Sequence, residues 1–391
     1  MLKKSYIAYF IFTIAVLYII SPWFFAKYLL FNEILSLAGF CILASERFKI
    51  GTDRISLYMI LLISWGLVHA ITSLFRFDTF YYYLRNTVIL YSMMAFFLGF
   101  YWSKYFLQYL RKIRKFLRLY TGIFIFIPVP RYIFERFGMS MLFPMLFDNP
   151  RKPWVHHMLV IINIIYGITY NSLTILMLAA LYILLFISPG IKFFYGVLLI
   201  VFISVTVLFI YLLPNLDIIK NNYSPYNNVA IANVRKSNPV LNIDGNTTWR
   251  LVLWKEIIID DFPQNLFGLG FGTPAIEYYP VEDVKKIPTL PYVLGAHNSF
   301  VYLFGRLGVI FLLLIISIYD VIFREYFFYK TVYYSNKQIL IFWSFFAATI
   351  IALFNPALES PIYAAGYWLL LGLVARSIYN RRSAVLINQA A

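Results

Sequence analysis

Residues 55–75 read ISLYMILLISWGLVHAITSLF, a stretch that is apolar on every face of a helix. A helix of this length rises about 31 Å, which matches a hydrocarbon core of roughly 30 Å. Similar runs recur along a chain that is 62% hydrophobic and 13% charged, with a mean hydropathy of +0.75. A membrane β-barrel would alternate apolar and polar residues instead. The sequence therefore predicts an all-α, polytopic transmembrane helix bundle.

Apolar runs and basic residues together predict the topology. The clearest spans are residues 6–20, 23–44, 55–75, 87–102, 119–134, 191–213, 299–323, 338–354 and 361–375. Clusters of Lys and Arg at their ends should be cytoplasmic, and both termini belong to that side. Because this requires an even number of crossings, we predict about ten spans. Residues 169–187 would cross once, and residues 156–168 would either lie at the outer interface or dip into the membrane without crossing it.

Residues 103–118 have an amphipathic pattern. Lys104 and Arg118 share one helical face, whereas Phe106 and Leu117 share the other. A basic helix of this kind is typical of a segment that lies flat on a membrane. We predict that anionic lipid of the inner leaflet holds it.

Residues 214–297 form a polar segment that is too long for a simple connection. It carries seven Lys or Arg and eight Asp or Glu residues, in a chain whose formal net charge is +16. That contrast predicts a partly helical extracytoplasmic loop. The predicted organisation is an N-terminal transmembrane bundle (1–213), the loop with the candidate active site (214–297), and C-terminal transmembrane helices (298–391).

The loop contains a predicted helix that begins at Thr248 and ends before Pro263. Arg250 falls in its first turn, where free backbone N–H groups already favour an anion such as phosphate. Trp254 belongs to its apolar face. Gly270 lies in the following FGLGFG sequence at 267–272, which predicts either a close backbone approach to a ligand or a mobile turn.

His297 and Asn298 lie where the chain re-enters the membrane. A near-neutral imidazole could take a proton from a hydroxyl or donate a hydrogen bond to a phosphate. A histidine at a helix boundary also has a purely structural interpretation. The sequence alone leaves both open.

Taken in order, these features resemble one known family, the bacterial O-antigen polymerases and O-antigen ligases. The resemblance rests on Arg250, Trp254, Pro263, the glycines of residues 268–272, the AHNSF sequence at 296–300 and Gly308. It implies transfer of a glycan from undecaprenyl diphosphate to an acceptor hydroxyl at the periplasmic face of the inner membrane. It also implies catalytic roles for Arg250 and His297.

The chain departs from the family pattern in two places. Family members often have Ser-Arg-Gly at the outer end of an earlier span, whereas residues 171–174 here read NSLT. Arg151 and Lys152 are the candidates to replace that cation, with a solvated surface pair as the alternative. The family also has an acidic residue where this chain has Arg306, about 13 Å along the helix from His297. Arg306 would either bind the lipid diphosphate or pair inside the bundle.

The expected chemistry needs no metal or other cofactor, because a diphosphate is already a good leaving group. The expected partners are the undecaprenyl-diphosphate-linked glycan, an acceptor glycan or lipid A core, the lipid bilayer and other polysaccharide-assembly membrane proteins, with no nucleic acid. A polymerase is the first expectation and a ligase the second. A lipid or polysaccharide transporter is the alternative of another class, but transporters typically show internal repeats and this sequence shows none.

Overall fold

A computed structural model describes residues 4–21, 24–25, 28–46, 53–78, 80–126, 136–169, 172–187, 191–222, 250–251, 253–273, 297–329 and 334–390. All regular structure in these ranges is helical. The α-helices are α1 (Lys4–Ile20), α2 (Phe31–Ser45), α3 (Arg54–Ser73), α4 (Phe80–Ser92), α5 (Ala95–Phe126), α6 (Arg136–Leu142), α7 (Pro153–Thr169), α8 (Leu173–Ile187), α9 (Ile191–Asn222), α10 (Ser299–Tyr329), α11 (Asn336–Phe354) and α12 (Ala364–Ala390).

Several helices are long and apolar enough to cross a membrane, as the sequence predicts. Among the described residues there are five: Arg54–Ser73, Phe80–Tyr120, Tyr195–Leu213, Ser299–Phe328 and Asn336–Phe354. Further apolar helices have only 10–17 residues. The chain is therefore an all-helical membrane protein, whereas the predicted number of about ten spans is not confirmed.

Packing divides the chain into two compact units. The first comprises Met1–Ser64, Thr87–Ile191 and Leu314–Ala391, and the second comprises Trp65–Asn86 and Lys192–Leu313. In the first unit, α5 and α12 pack closely because Gly99 faces the backbone of Leu369 and Gly372 faces that of Phe96. Small residues at such crossings are typical of membrane helices. The three-part division at residues 213 and 297 stays a prediction.

Helix α5 contains the predicted amphipathic segment, residues 103–118. It is kinked at Trp102 (φ −106°, ψ 17°), close to where the sequence separates a span from the amphipathic segment. The apolar face of that segment is covered by protein: Leu117 is buried, and the Phe106 ring lies 5.1 Å from the Phe12 ring. The described apolar face of this segment thus packs against protein, and the predicted attachment of the segment to anionic lipid stays a prediction. Only part of the predicted span at 119–134 is described, and it continues α5 to Phe126.

Helices α7 and α8 form an antiparallel hairpin. His156, near the start of α7, lies 5.1 Å from Phe186, near the end of α8, measured between ring centroids. Near the turn, Gly167 contacts Leu176, and the Ser172 N–H donates to the Gly167 carbonyl. The packing shows an antiparallel pair, whereas the predicted arrangement, with residues 169–187 crossing once and residues 156–168 at the outer interface, stays a prediction.

The second unit contains α9, which continues through Pro214 to Asn222 beyond the predicted end of its span at residue 213. Residues 250–255 are helical where described and lead into a π-helical turn, Glu256–Asp260. A short 3₁₀ turn, Gln264–Leu266, follows. The described part of the predicted loop helix is thus helical and ends before Pro263, whereas its predicted start at Thr248 lies outside the described residues.

Candidate functional site

Helix α10 is broken at Gly308, where φ is 70° and ψ is −164°. Essentially only glycine adopts this region, because a Cβ atom would collide with the backbone. The break ends a first half-helix, so the carbonyl groups of its last turn need hydrogen-bond donors from elsewhere.

Three donors from the same unit supply these hydrogen bonds. The N–H groups of Leu269 and Gly270 donate to the carbonyls of Gly305 (2.8 Å) and Arg306 (3.0 Å). The indole Nε1 of Trp65 donates to the Leu307 carbonyl at 2.6 Å. The protein itself therefore satisfies the broken turn, as a break at membrane depth requires. We call residues 267–273, which provide two of the donors, the glycine loop.

The glycines of this loop are required by its contacts. Gly268, Gly270 and Gly272 all have positive φ (92°, 76° and 86°). A Cβ atom on Gly268 would lie under 3.0 Å from the Arg306 carbonyl, and one on Gly308 would meet the backbone of the loop equally closely. The described loop lies backbone to backbone against α10, and these contacts favour the predicted close backbone approach over the alternative of a mobile turn.

Two polar side chains hold the other edge of the glycine loop. The Phe271 N–H donates to Ser73 Oγ at 2.8 Å, and the Gly272 N–H donates to Asn86 Oδ1 at 3.1 Å. Asn86 in turn donates through Nδ2 to the Tyr302 hydroxyl at 3.2 Å. The loop is thus bonded to the end of α3, to α4 and to α10.

Arg306 lies at the centre of these contacts and is only 1% exposed. Its Nη1 donates to the carbonyls of Gly270 (3.1 Å) and Thr273, and its Nη2 donates to the Tyr302 hydroxyl at 2.9 Å. Its Nε is buried without a hydrogen-bond partner. Among the described residues, no carboxylate pairs with this guanidinium. The structure thus brings together two of the predicted site residues, Arg306 and Gly270.

His69 and Arg76 also reach this place, and sequence reasoning missed them. A Cβ atom on Gly270 would lie 2.5 Å from Ser73 Oγ, 3.1 Å from Arg76 Nη2 and 3.5 Å from His69 Nδ1. His69 is 5% exposed, packs edge-on against Trp65, and has no hydrogen-bond partner at either ring nitrogen. Their spacing in the sequence could have indicated them, because residues 69, 73 and 76 form a polar stripe on one face at the end of an otherwise apolar span.

Arg250 and Trp254 belong to the same unit, and both are half-buried. The helical face that they share with Leu253 and Ile257 is anchored, because the last two side chains are fully buried. Ile257 packs against Gly305, one residue before Arg306. The helix that carries Arg250 is therefore docked on the first half of α10.

His297 and Asn298 precede the first half-helix and have different roles. Asn298 caps the helix, because its Oδ1 accepts from the N–H groups of Phe300 (3.0 Å) and Val301 (3.2 Å). Only the amide NH₂ of Asn298 thus remains for a substrate. His297 is half-buried and has φ 52°, in the left-handed region that non-glycine residues rarely adopt. His297 therefore does not cap α10, and its strained backbone is a mark of functional positions.

Arg151 and Lys152 lie in the first unit, on exposed positions. Nη2 of Arg151 donates to the Tyr334 carbonyl at 2.9 Å, and the neighbouring Asp148 pairs with Arg118 at 2.7 Å. The structure therefore does not bring these two cations together with Arg306 in one compact unit.

No known family model matches the chain, and no curated protein matches its sequence significantly. The family resemblance thus stays an expectation from the sequence, and the function has to be argued from the chemistry of the site.

Proposed function

We propose that the chain is a metal-independent membrane glycosyltransferase that transfers a glycan from undecaprenyl diphosphate to an acceptor hydroxyl on the extracytoplasmic side of the bacterial inner membrane. The form proposed first is a polymerase of O-antigen or another surface polysaccharide. One observation carries the proposal: Arg306 is a buried guanidinium with spare N–H groups and no carboxylate partner in the described part of the chain.

The spare groups of Arg306 can be counted. A guanidinium has five N–H donors. Both donors of Nη1 go to carbonyls of the glycine loop, and one donor of Nη2 goes to Tyr302. The Nε donor and the second Nη2 donor remain. Two adjacent N–H groups are what a phosphate takes in a bidentate contact.

Charge supports the same ligand. A buried cation is costly unless an anion compensates it, and the diphosphate of a lipid-linked glycan is such an anion. Arg76 Nη2 lies 3.1 Å from the Cβ position of Gly270 and adds a second positive charge. His69 adds two ring nitrogens that are buried and without partners. Together these side chains favour an anionic, polar substrate at the glycine loop.

In the proposed reaction, the acceptor hydroxyl and the leaving diphosphate are handled by different residues. The acceptor oxygen forms a bond to the anomeric carbon while the bond from that carbon to the diphosphate oxygen breaks. The hydroxyl proton passes to the imidazole of His297, and the electron pair leaves with the diphosphate on its lipid. Arg306 and Arg250 neutralise the charge that grows on this leaving group.

The proposed outer location is supported by α3. Arg54 and the basic residues before it belong to the predicted cytoplasmic side, so the far end of α3, with Ser73 and Arg76, belongs to the outer side. Ser73 bonds the glycine loop. This contact supports a location of the loop on the same side of the membrane as the end of α3 that carries Ser73.

The hairpin of α7 and α8 changes which segments cross. Arg118 pairs with Asp148, and Arg151 bonds Tyr334, so residues 148–152 accompany segments of the predicted cytoplasmic side. We propose that α7 and α8 each cross the membrane once and that residues 118 and 148 lie on the same side of it. The chain between these two residues then crosses the membrane either not at all, which gives ten spans in total, or twice, which gives twelve. Arg151 and Lys152 would then face the cytoplasm.

The test is transfer by purified protein in lipid nanodiscs, supplied with a lipid-linked repeat unit. Arg306→Lys keeps the charge but removes the planar fork, so we expect turnover to fall by about 100-fold or more. Arg324→Lys is the matched control, because Arg324 lies on the same helix in an exposed pair with Asp320. It should change turnover by less than about twofold.

The outcomes separate the site from its alternatives. Equal turnover of the two variants, or a loss that only follows the amount of folded protein, would give Arg306 a structural role and remove the main support. Long chains made from the donor alone indicate a polymerase, whereas a strict need for lipid A core indicates a ligase. Activity should persist in EDTA, and a loss that one particular metal restores would contradict metal independence.

Arg250 and His297 can be tested in the same assay. Arg250→Lys should reduce turnover strongly, because lysine cannot bind phosphate through a planar fork. His297→Asn should lower turnover by about 10²- to 10⁴-fold, the usual contribution of a proton acceptor. Asparagine tolerates the left-handed backbone, so folding should be preserved. Near-normal chains from His297→Asn at matched protein level would exclude His297 as the base.

A further inference from the structure

A basic cavity lies in the first unit and plays no part in the proposed transfer site. Its volume is about 920 Å³, within the usual range for small-molecule pockets. Six of its lining residues are cationic: Lys4, Lys104, Arg111, Arg114, Lys337 and Arg376. Asp148 is the only acidic residue among its lining residues, and it already pairs with Arg114 and Arg118.

Most of these cations have no carboxylate to neutralise them. Lys4 pairs with Glu46 at 3.6 Å, and Arg114 pairs with Asp148. Within the described ranges, Lys104, Arg111, Lys337 and Arg376 form no ion pair. Several like charges around one cavity repel one another unless an anion enters.

A helix terminus adds to this positive field. Ser335, Asn336 and Lys337 line the cavity at the start of α11, and Ser335 closes a capping box with Gln338. The first N–H groups of a helix of this length favour anions. The positive-inside rule requires cations near the inner ends of spans, but it does not require them to converge on one cavity.

The surroundings favour a lipid over a free anion. Leu107, Tyr101 and Tyr105 contribute apolar surface to the cavity wall. Phe116 and Leu119, further along the same helix, are exposed apolar side chains. They offer a surface on which an acyl chain could lie while the phosphate of its headgroup reaches the cations.

We propose that this cavity is a binding site for the phosphate-bearing headgroup of an acidic phospholipid. The lysines and arginines hold the phosphate oxygens, and the start of α11 contributes backbone N–H groups. The site is independent of the transferase proposal, since it uses none of the residues of the glycine loop.

Native mass spectrometry of delipidated full-length protein tests the site with phosphatidylglycerol, phosphatidylcholine and inorganic phosphate as probes. The double variant Lys104→Gln with Arg111→Gln removes two cavity cations. The matched control, Lys112→Gln with Lys115→Gln, removes two charges from the same helix that do not line the cavity. We expect the cavity variant to bind phosphatidylglycerol at least about tenfold more weakly, because each cation near an anionic headgroup contributes about 1 kcal/mol. The control should bind with the affinity of the wild type.

Each other result would overturn the proposal. Equal losses in the two double variants would mean general attraction to a basic surface. Equal binding of phosphatidylcholine would remove the role of headgroup charge, and inorganic phosphate that binds as tightly as the lipid would make the ligand a free anion. Should the double variant fold poorly, the comparison of Lys104→Gln with Lys115→Gln decides the same question, because both side chains are exposed.

Discussion

Replacing Gly308 by alanine tests the broken helix directly. Gly308 has φ 70° and ψ −164°, and its Cβ position lies under 3.0 Å from backbone atoms of residues 266–268. Holding a non-glycine residue in such a region costs about 1–3 kcal/mol. Forcing an extra carbon into packed surroundings costs about 1–3 kcal/mol more. We therefore expect Gly308→Ala to lower the free energy of unfolding by about 2–6 kcal/mol.

The measurement is the thermal midpoint in detergent at a fixed scan rate, together with transfer activity per folded molecule. Gly196→Ala is the matched control, because nothing lies within 4 Å of that Cβ position and alanine favours a helix. The control should unfold at or slightly above the wild-type temperature. Gly308→Ala should unfold several degrees lower and lose activity, since the glycine loop must move away from α10.

A second variant sharpens the test. Gly268→Ala places a Cβ atom against the same stretch of α10, next to the Gly308 N–H. Because both substitutions disrupt the same contact, the double variant Gly268→Ala with Gly308→Ala should lose less unfolding free energy than the sum of the two single losses. If Gly308→Ala were as stable as Gly196→Ala, or if the two losses were simply additive, the close packing of loop and helix would be refuted.

Two further predictions concern topology and pH. In a Cys41→Ser background, a cysteine at Asn242 should react with an impermeant reagent from outside, and one at Lys152 only after permeabilisation; labelling of both from one side would contradict the proposed arrangement. Burial raises the pKa of the Asp53 carboxyl, so its stabilising contribution is greatest below the unfolded value of about 3.9 and is lost as pH rises through the folded value. The thermal midpoint of Asp53→Asn should therefore rise relative to that of the wild type as pH increases. A difference between the two midpoints that stays constant with pH would count against this reasoning.

The fold class was predictable because the solvent dictates it. A lipid core leaves helices as the available structure for long apolar runs, and 55–75 became α3 almost residue for residue. Boundaries near Pro and Gly were harder. Pro214 predicts an end, yet α9 continues to Asn222. Hydropathy also cannot distinguish a hairpin such as α7 and α8 from one crossing with a flat segment.

The site was predictable only where residues stand out locally. Arg306 stood out because a cation in an apolar span is costly, which indicates either a bound anion or a partner inside the bundle. Tyr302, one of its partners, lies four residues away on the same helix, but Gly270 and Thr273 lie 36 and 33 positions away, and no local pattern shows that pairing. His69 was overlooked because a single histidine among apolar residues is commonly a satisfied core residue. Its unpaired nitrogens become visible only when Gly270 and Arg76 are placed beside it.

The strongest argument for a ligand at the glycine loop is an accounting of polar groups. Buried polar groups in proteins nearly always have partners, and the demand is stricter at membrane depth. Here the broken turn is satisfied by Leu269, Gly270 and Trp65. The Nε of Arg306, both ring nitrogens of His69 and the Thr273 hydroxyl are buried there without a hydrogen-bond partner. An anion with several oxygens would complete that set, and this is the chemistry of the diphosphate in the proposed donor.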